Sequence, residues 1–184
     1  MCIRDSILDD RVSGGSHEGL LAVYSLSKQS NLAGYRAAFA AGDPQLVATL
    51  VNTRKHAGMI VPAPVQHAMA VALADDAHVA EQKDRYRRRR DALRTALEAS
   101  GHTVDHSEAG LYLWTRRADL DPADATAQDS WDLLGELADL GIIAGPGVFY
   151  GAGGDGYVRV AITATDEAVA RAAARLTARG PRTG

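Results

Sequence analysis

Residues Tyr24–Arg36 read YSLSKQSNLAGYR, an uncommon grouping of one amine, several hydroxyl groups and a guanidinium. The apolar run Leu20–Tyr24 leads into this segment, and such a run is typical of a buried strand in a parallel sheet. Lys28 then stands among small polar side chains, and Arg36 follows two residues after Gly34. The pattern predicts a site for a small ligand at the end of this strand.

The chemistry of these side chains indicates which ligand the site accepts. An ordinary lysine is protonated at neutral pH, but one whose charge is desolvated at the mouth of a strand can lose its proton and condense with an aldehyde. Ser25, Ser27 and Arg36, beside a glycine that lets the backbone approach closely, offer the donors that a phosphate monoester needs. An aldehyde and a phosphate occur together in pyridoxal 5′-phosphate. A lysine beside serines is an ordinary surface loop in most proteins, but the full combination behind an apolar strand favours the cofactor.

The segments Ser25–Lys28 and Asn31–Arg36 resemble the pyridoxal-phosphate attachment segment of the class I/II aminotransferases of fold type I. The resemblance implies that Lys28 forms the Schiff base with the cofactor and carries the proton between the substrate Cα and the cofactor C4′. It also implies that Ser25 and Arg36 contact the cofactor phosphate, with Ser27 as a further phosphate candidate.

A second match lies far downstream, in Gly156–Ile162, which reads GYVRVAI. This segment is similar to the C-terminal strand of the family, in which an arginine binds the substrate α-carboxylate with both arms of its fork. The resemblance therefore gives Arg159 the substrate carboxylate, a task that suits the planar guanidinium better than an ammonium group. Pro146–Gly151 resembles a loop near the substrate and Gly110–Trp114 an earlier strand, and neither receives a role.

The resemblance extends from about Ile7 to Leu176 and implies an α/β fold, the C-terminal portion of a fold type I pyridoxal-phosphate-dependent transferase. Residues 1–78 are expected to be a remnant of the large cofactor-binding domain, with a partial sheet. Residues 79–184 are expected to form a long connecting helix and a small α+β domain. Caps and periodicity predict helices from Asp43–Pro44, over Val65–Leu73, from Asp75–Asp76 to Ser100, over Asp129–Leu140 and after Thr165, and strands at Gly110–Trp114, Gly141–Ala144 and Tyr157–Ile162.

Three features indicate what the chain does not bind. The basic run Lys83–Arg94 is predicted to be the solvated face of a helix rather than a nucleic-acid patch. Gly151–Gly156 precedes a strand instead of opening a helix, so it is predicted to be a flexible loop and not a nucleotide loop. The histidines show no ligand-type clustering, so no metal site is predicted: His17, His56, His67, His78, His102 and His106.

Composition narrows the class of protein further. The chain has 184 residues, of which 46% are hydrophobic and 23% charged, and this is ordinary globular composition. A formal net charge of −3 gives no reason to expect nucleic acid or an anionic membrane as partner. The single cysteine, Cys2, fits a reducing cytoplasm, and no apolar run is long enough to span a bilayer. A cytoplasmic location is therefore predicted.

Within the family, the overall sequence is most similar to actinobacterial N-succinyldiaminopimelate aminotransferases. This resemblance implies amino transfer between glutamate and an oxo acid, with N-succinyl-2-amino-6-oxopimelate and N-succinyldiaminopimelate as substrate and product in lysine biosynthesis. It also implies a homodimer, because the family builds each active site from two subunits. Two alternatives share the same motifs: a pyridoxal-phosphate-dependent β-lyase, and a non-catalytic aminotransferase-like sensor domain of a transcription regulator.

The resemblance leaves part of the family's site without a counterpart. Family members are longer, and their N-terminal half supplies an aspartate at the pyridinium nitrogen, a stacking aromatic and an asparagine at the ring O3′. Only about twenty residues precede the lysine strand here. The chain is therefore expected to be the C-terminal part of an aminotransferase and inactive alone, with Met1–Ser6 foreign to the rest.

Overall fold

The computed structural model describes residues 6–181, so most of the expectation about Met1–Ser6 lies outside the described residues. The described residues form two compact units, one up to Lys83 and one from Asp84 onward. The division falls inside a helix of 24 residues, Asp76–Ala99. No helix of this described part of the chain is long and apolar enough to cross a membrane.

The first unit is mostly helical. Its central feature is a two-stranded sheet whose strands run antiparallel, with Tyr24 opposite Phe39. Its elements are helix α1 (Asp10–Ser13), strand β1 (Leu21–Ser25), helix α2 (Leu26–Gln29), strand β2 (Ala38–Gly42), helices α3 (Pro44–His56) and α4 (Ala63–Leu73), and the first part of α5 (Asp76–Ala99). Its small core joins Leu26, Ala37 and Met69.

The prediction of a buried strand in a parallel sheet is wrong for β1 in this structure. The 12 residues between β1 and β2 turn the chain back through α2 and a 3-10 turn at Ala33–Tyr35, which makes the next strand an antiparallel neighbour. No residue of β1 is buried, and Val23 is 70% exposed. The face of the two-stranded sheet that carries Val23 is not covered, so this apolar side chain is open to solvent.

Asp43 joins three parts of the first unit, and its predicted role as a helix cap is confirmed. Its Oδ1 accepts from the backbone N–H of Gln45 at 2.7 Å at the start of α3. Its Oδ2 accepts from the N–H of Gly19 at 2.8 Å, just before β1. The N–H of Gly19, followed by that of Gln45, lowers the pKa of Asp43 because both bonds favour the carboxylate.

Replacing Asp43 with asparagine is expected to make the thermal midpoint of the chain less sensitive to acid. Asparagine is also a good cap, so the variant removes the charge and keeps the cap. Because the folded-state pKa is depressed, the stabilisation is full above the unfolded pKa of about 3.9 and disappears as pH falls through the folded value. Thermal melting between pH 7 and pH 2 should show the two proteins converging at low pH. A constant difference would contradict the charge argument.

The second unit packs helices against one face of a four-stranded antiparallel sheet. Strand order is β3-β4-β6-β5, with Thr115 opposite Val104 and Val158 in neighbouring strands. Its elements are the rest of α5, β3 (His102–Asp105), β4 (Tyr112–Arg117), α6 (Ala127–Asp139), β5 (Gly145–Pro146), β6 (Tyr157–Ala161) and α7 (Asp166–Arg179). The buried core draws on the sheet and all its helices: Leu93, Leu97, Leu113, Leu133, Leu137, Val158, Val160, Ile162, Val169 and Leu176.

The predicted strand Gly141–Ala144 is wrong. Gly141, at φ 69°, ends α6 in the left-handed conformation, and its N–H donates to Ala138 O while the N–H of Ile142 donates to Leu137 O. The N–H groups of Gly141 and Ile142 bond within the helix cap and cannot bond to a neighbouring strand. Ile143 is 93% exposed, and in this region only β5 (Gly145–Pro146) pairs with β6. Strand β3, a short run between Gly101 and Ser107, was not predicted from the sequence.

The loop predicted to be flexible is instead closely packed. Gly154 is buried, and its carbonyl accepts from the Ser130 hydroxyl at 3.2 Å. A Cβ on Gly147 would lie 2.0 Å from Gly154 O, so the two backbone segments meet where only glycine fits. Of the glycines in this loop, Gly154 therefore provides the close approach between backbone segments, whereas Gly151 and Gly153 are exposed.

The basic run of α5 is only partly a solvated face. Arg89, whose side chain is 11% exposed, pairs with Asp166 at the start of α7. This bond is the main cause of a lowered pKa for Asp166. Arg90 donates to the carbonyl of Gly110, ahead of β4. These two arginines connect α5 to the rest of the second unit, which corrects the predicted role of their part of the run.

Candidate active site

Lys28 lies in a single helical turn that directly follows β1. Ser25 caps this turn: its Oγ accepts from the Ser27 N–H at 3.2 Å. Leu26 is fully buried and fixes the start of the turn in the core. Lys28 is exposed and has no hydrogen-bond or ion-pair partner among the described residues. The turn therefore presents a free amine from an anchored backbone.

The two predicted phosphate serines are in direct contact. Ser25 Oγ lies 2.8 Å from Ser27 Oγ and 3.3 Å from the carbonyl oxygen of Ala37. Ala37 is buried and directly follows Arg36, so this contact connects the start of the lysine turn with the segment after the arginine. Three of the four predicted cofactor-binding residues therefore lie together at this turn: Ser25, Ser27 and Lys28.

Arg36 has an uncommon backbone conformation for a residue with a side chain. Its φ and ψ angles of 51° and 42° lie in the left-handed region. Its exposed side chain donates from Nη1 to the carbonyl of Ala33 at 3.2 Å, and not to either serine. The other N–H groups of the guanidinium have no partner among the described residues. A strained position that carries free donors is a pattern found at ligand sites.

Arg159 in the second unit lies between two tyrosine rings. Its Cζ is 4.2 Å from the ring centroid of Tyr112 and 5.1 Å from that of Tyr150. Its Nε is buried and has no hydrogen-bond partner. A buried donor without a partner is costly, which is consistent with a missing acceptor at this position. A carboxylate is an acceptor that fits the fork of a guanidinium.

More aromatic side chains line the same face of the sheet. Trp114 lies opposite Arg159 in the strand register, meets Tyr150 edge-on at 5.7 Å and stacks on Tyr157 at 5.1 Å. The Tyr157 hydroxyl donates to Asp105 Oδ2 at 2.8 Å. Burial, followed by the bond to Asp105, raises the pKa of Tyr157, so its hydroxyl stays protonated at neutral pH.

Tyr112 and Tyr150 were not predicted from the sequence as partners of Arg159. Both lie in segments that received no role from the sequence, and only the strand register and the turn after β5 bring them to the arginine. The available signal was the alternation of Tyr112 and Trp114 along β4, which places both on one face. In residues 6–181, no group of three or more histidine, cysteine or acidic side chains could hold a metal ion.

The family profile described as aminotransferase class I and II matches residues 6–176. The chain belongs to this family. Class I and II aminotransferases of fold type I depend on pyridoxal phosphate, and the predicted fold class, the C-terminal portion of that α/β fold, is confirmed by the match and by the solved structures described below.

Several curated aminotransferases resemble the chain. The 4-dedimethylamino-4-oxo-anhydrotetracycline transaminase OxyQ of Streptomyces rimosus is 59% identical over 94% of the chain and 45% of its own length. The probable aminotransferase Rv1178 of Mycobacterium tuberculosis is 56% identical over 94% of the chain and 39% of its length. An LL-diaminopimelate aminotransferase of Oleidesulfovibrio alaskensis is 37% identical, with coverages of 88% and 40%. The chain thus spans less than half of the length of these aminotransferases.

Solved aminotransferases share the fold. The aminotransferase of Neisseria meningitidis superposes with a TM-score of 0.74 at 29% identity, over 92% of the chain and 42% of its own. A double mutant of the Thermus thermophilus aspartate aminotransferase superposes with the same TM-score at 24% identity, over 92% and 43%. At 24% identity, the second comparison shows a shared fold only.

The described residues fit two groups of the cofactor of the class I and II aminotransferases, its phosphate and its aldehyde. The paired serine hydroxyls and the free N–H groups of Arg36 are donors of the kind that a phosphate accepts from, and Lys28 offers an unpaired amine. The buried Nε of Arg159 offers a donor to a substrate carboxylate. The assignment of Ser25, Ser27, Lys28, Arg36 and Arg159 remains a prediction.

Proposed function

We propose that this chain is the lysine-bearing part of an enzyme for pyridoxal-phosphate-dependent amino transfer between glutamate and an oxo acid. The observation that carries the proposal is the turn Ser25–Gln29, on which the unpaired amine of Lys28 follows two hydroxyl groups 2.8 Å apart. Membership of the class I and II aminotransferases supports the same reaction. The assignment of residues 1–78 to the large cofactor-binding domain, and of the rest to a connecting helix and small domain, belongs to this proposal.

Each site residue has a distinct task in this proposal. Ser25, Ser27 and Arg36 would hold the phosphate through charge-assisted and hydroxyl hydrogen bonds. Lys28 Nζ would bind the cofactor aldehyde and, once free, move the proton at the substrate Cα. The cofactor, when bound, supplies an electron sink for the substrate carbanion. Arg159 would orient the substrate by its α-carboxylate.

For the substrate, we propose N-succinyl-2-amino-6-oxopimelate and its product N-succinyldiaminopimelate in lysine biosynthesis. The LL-diaminopimelate aminotransferases among the relatives support a diaminopimelate skeleton, since their names state that substrate. The named relatives are transaminases or aminotransferases, which favours transfer over β-lyase chemistry or a sensor role. A homodimer in the cytoplasm completes the proposal. In the complete enzyme, the test compares glutamate-dependent conversion of the oxo acid with release of pyruvate from a sulfur amino acid. The first reaction indicates a transferase and the second a lyase.

Reductive trapping on this chain tests the proposed role of Lys28. The chain contains three lysines, Lys28, Lys55 and Lys83, so two serve as internal controls. After incubation with pyridoxal phosphate and reduction with borohydride, we expect label mainly on Lys28 by peptide mapping. Pyridoxal without the phosphate is the matched control ligand and should lose this preference, because it cannot use Ser25 and Arg36. Equal labelling of the three lysines would refute the assignment.

A further inference from the structure

The turn that carries Lys28 needs support at its end as well as at its start. Helix α2 has four residues, and so short a helix is not stable without tertiary contacts. The N–H groups of Ser30 and Leu32 both donate to the carbonyl of Leu26, at 3.0 and 3.4 Å. These bonds close the turn, and the side chain of Ser30 lies where the turn ends.

A histidine distant in sequence holds that end. His78 Nε2 lies 2.9 Å from Ser30 Oγ, in a partly buried contact across 48 residues. His78 belongs to the first turn of α5, and its Nδ1 lies 3.1 Å from Asp75 Oδ2. Asp75 is itself fixed, because its Oδ1 accepts from the N–H of Ala77 at 2.9 Å. A chain of hydrogen bonds thus runs from the start of α5 to the turn of Lys28.

The charge of Asp75 determines which group donates and which accepts in each of these hydrogen bonds. The N–H of Ala77, with a smaller contribution from His78, lowers the pKa of Asp75, so its carboxylate is charged at neutral pH. The Asp75 carboxylate accepts a hydrogen bond from the N–H at His78 Nδ1, and this fixes both the tautomer and the plane of the ring. In the neutral ring, Nε2 then accepts from the Ser30 hydroxyl. The imidazole is an oriented support and not a freely rotating side chain.

We propose that His78, oriented by Asp75 and bound to Ser30, is a positioning residue for Lys28. This inference rests on the function proposed above, in which Lys28 binds the cofactor. Leu26 anchors the turn from the core side and His78 anchors its other end, so the lysine backbone is held at both ends. Loss of His78 should loosen the end of the turn and slow attachment of the cofactor at Lys28, with Lys55 and Lys83 unaffected.

The test compares His78→Phe, His78→Gln, Ser30→Ala and the double variant His78→Phe/Ser30→Ala. Phenylalanine keeps the ring shape without a polar atom, and the glutamine amide can occupy the place of Nε2. Both His78→Phe and Ser30→Ala remove the hydrogen bond between His78 and Ser30. Hydrogen exchange of the Ser30 and Leu32 amides should therefore accelerate about five- to tenfold in each variant, which corresponds to the free energy of one hydrogen bond. The double variant should add nothing further, because both changes break the same bond. His78→Gln should restore slow exchange.

Reductive trapping with pyridoxal phosphate on the same proteins gives the second readout. We expect less label at Lys28 in His78→Phe and Ser30→Ala, with the labelling of Lys55 and Lys83 unchanged. Label absent from Lys28 in the unaltered chain would refute the proposed function and this inference with it. Label at Lys28 that is equal in all variants would overturn the inference alone. A general acceleration of exchange throughout the first unit would also overturn it, since that result indicates a purely structural role.

Discussion

Replacing Gly147 with alanine is expected to destabilise the second unit by more than about 3 kcal/mol. The added Cβ would lie 2.0 Å from Gly154 O and 2.6 Å from Tyr157 O, and both are backbone atoms that cannot rotate away. To relieve the overlap, the turn Gly147–Tyr150 must separate from β6. Urea unfolding followed by tryptophan fluorescence measures the effect, because Trp114 and Trp131 both lie in the second unit and Trp131 meets Phe149 of this turn edge-on at 5.8 Å.

The same loop provides a matched control. A Cβ on Gly153 would meet nothing within 4 Å, and its φ does not require glycine. Gly153→Ala should therefore change the free energy of unfolding by less than about 0.5 kcal/mol. If both alanine variants unfold at the same urea concentration, close packing between Gly147 and Gly154 does not stabilise the unit.

If Arg159 has its proposed role, replacing it with lysine is expected to weaken binding of an α-carboxylate about ten- to hundredfold. Lysine keeps the charge, but it removes one arm of the fork and the planar group between Tyr112 and Tyr150. The loss of one charge-assisted hydrogen bond costs about 1.5–3 kcal/mol, which corresponds to that range. In a Trp131→Phe background, the remaining Trp114 reports the titration with glutamate or 2-oxoglutarate, because Trp114 contacts Tyr150.

Arg171→Lys is the comparison variant for this titration. Arg171 is an exposed residue of α7 in the same unit. Its replacement makes the same change, from arginine to lysine, at a position away from the aromatic rings. It should leave the affinity for the carboxylate unchanged. Equal weakening in both variants would show that overall charge, and not the fork of Arg159, attracts the carboxylate.

Local patterns predicted those parts of the fold that depend on neighbours in sequence. The caps Asp43 and Thr165 follow from short-range hydrogen bonds between nearby residues. The direction of β2 relative to β1, by contrast, depends on how the intervening loop folds back, and the apolar run alone could not show it. The predicted strand over Gly141–Ala144 failed because its apolar residues form the cap of α6.

The contacts that sequence could not predict join residues that are distant along the chain. Tyr112 and Tyr150 approach Arg159 through the strand register and the turn after β5, and neither is encoded in one segment. The contact of His78 with Ser30 crosses 48 positions and depends on the packing of the first unit. Residue types indicated where chemistry could occur, and tertiary structure determined which side chains support it.

The left-handed backbone at Arg36 has a consequence for how this position can vary over evolutionary time. A residue with a Cβ is less stable in this conformation than glycine by about 1–2 kcal/mol. Selection for thermal robustness alone would therefore replace Arg36 with glycine, and β-branched residues would be excluded. Under the proposed role of Arg36 at the phosphate, a lineage that uses the cofactor should retain arginine at a lower folding stability, whereas a lineage without that use should drift toward glycine.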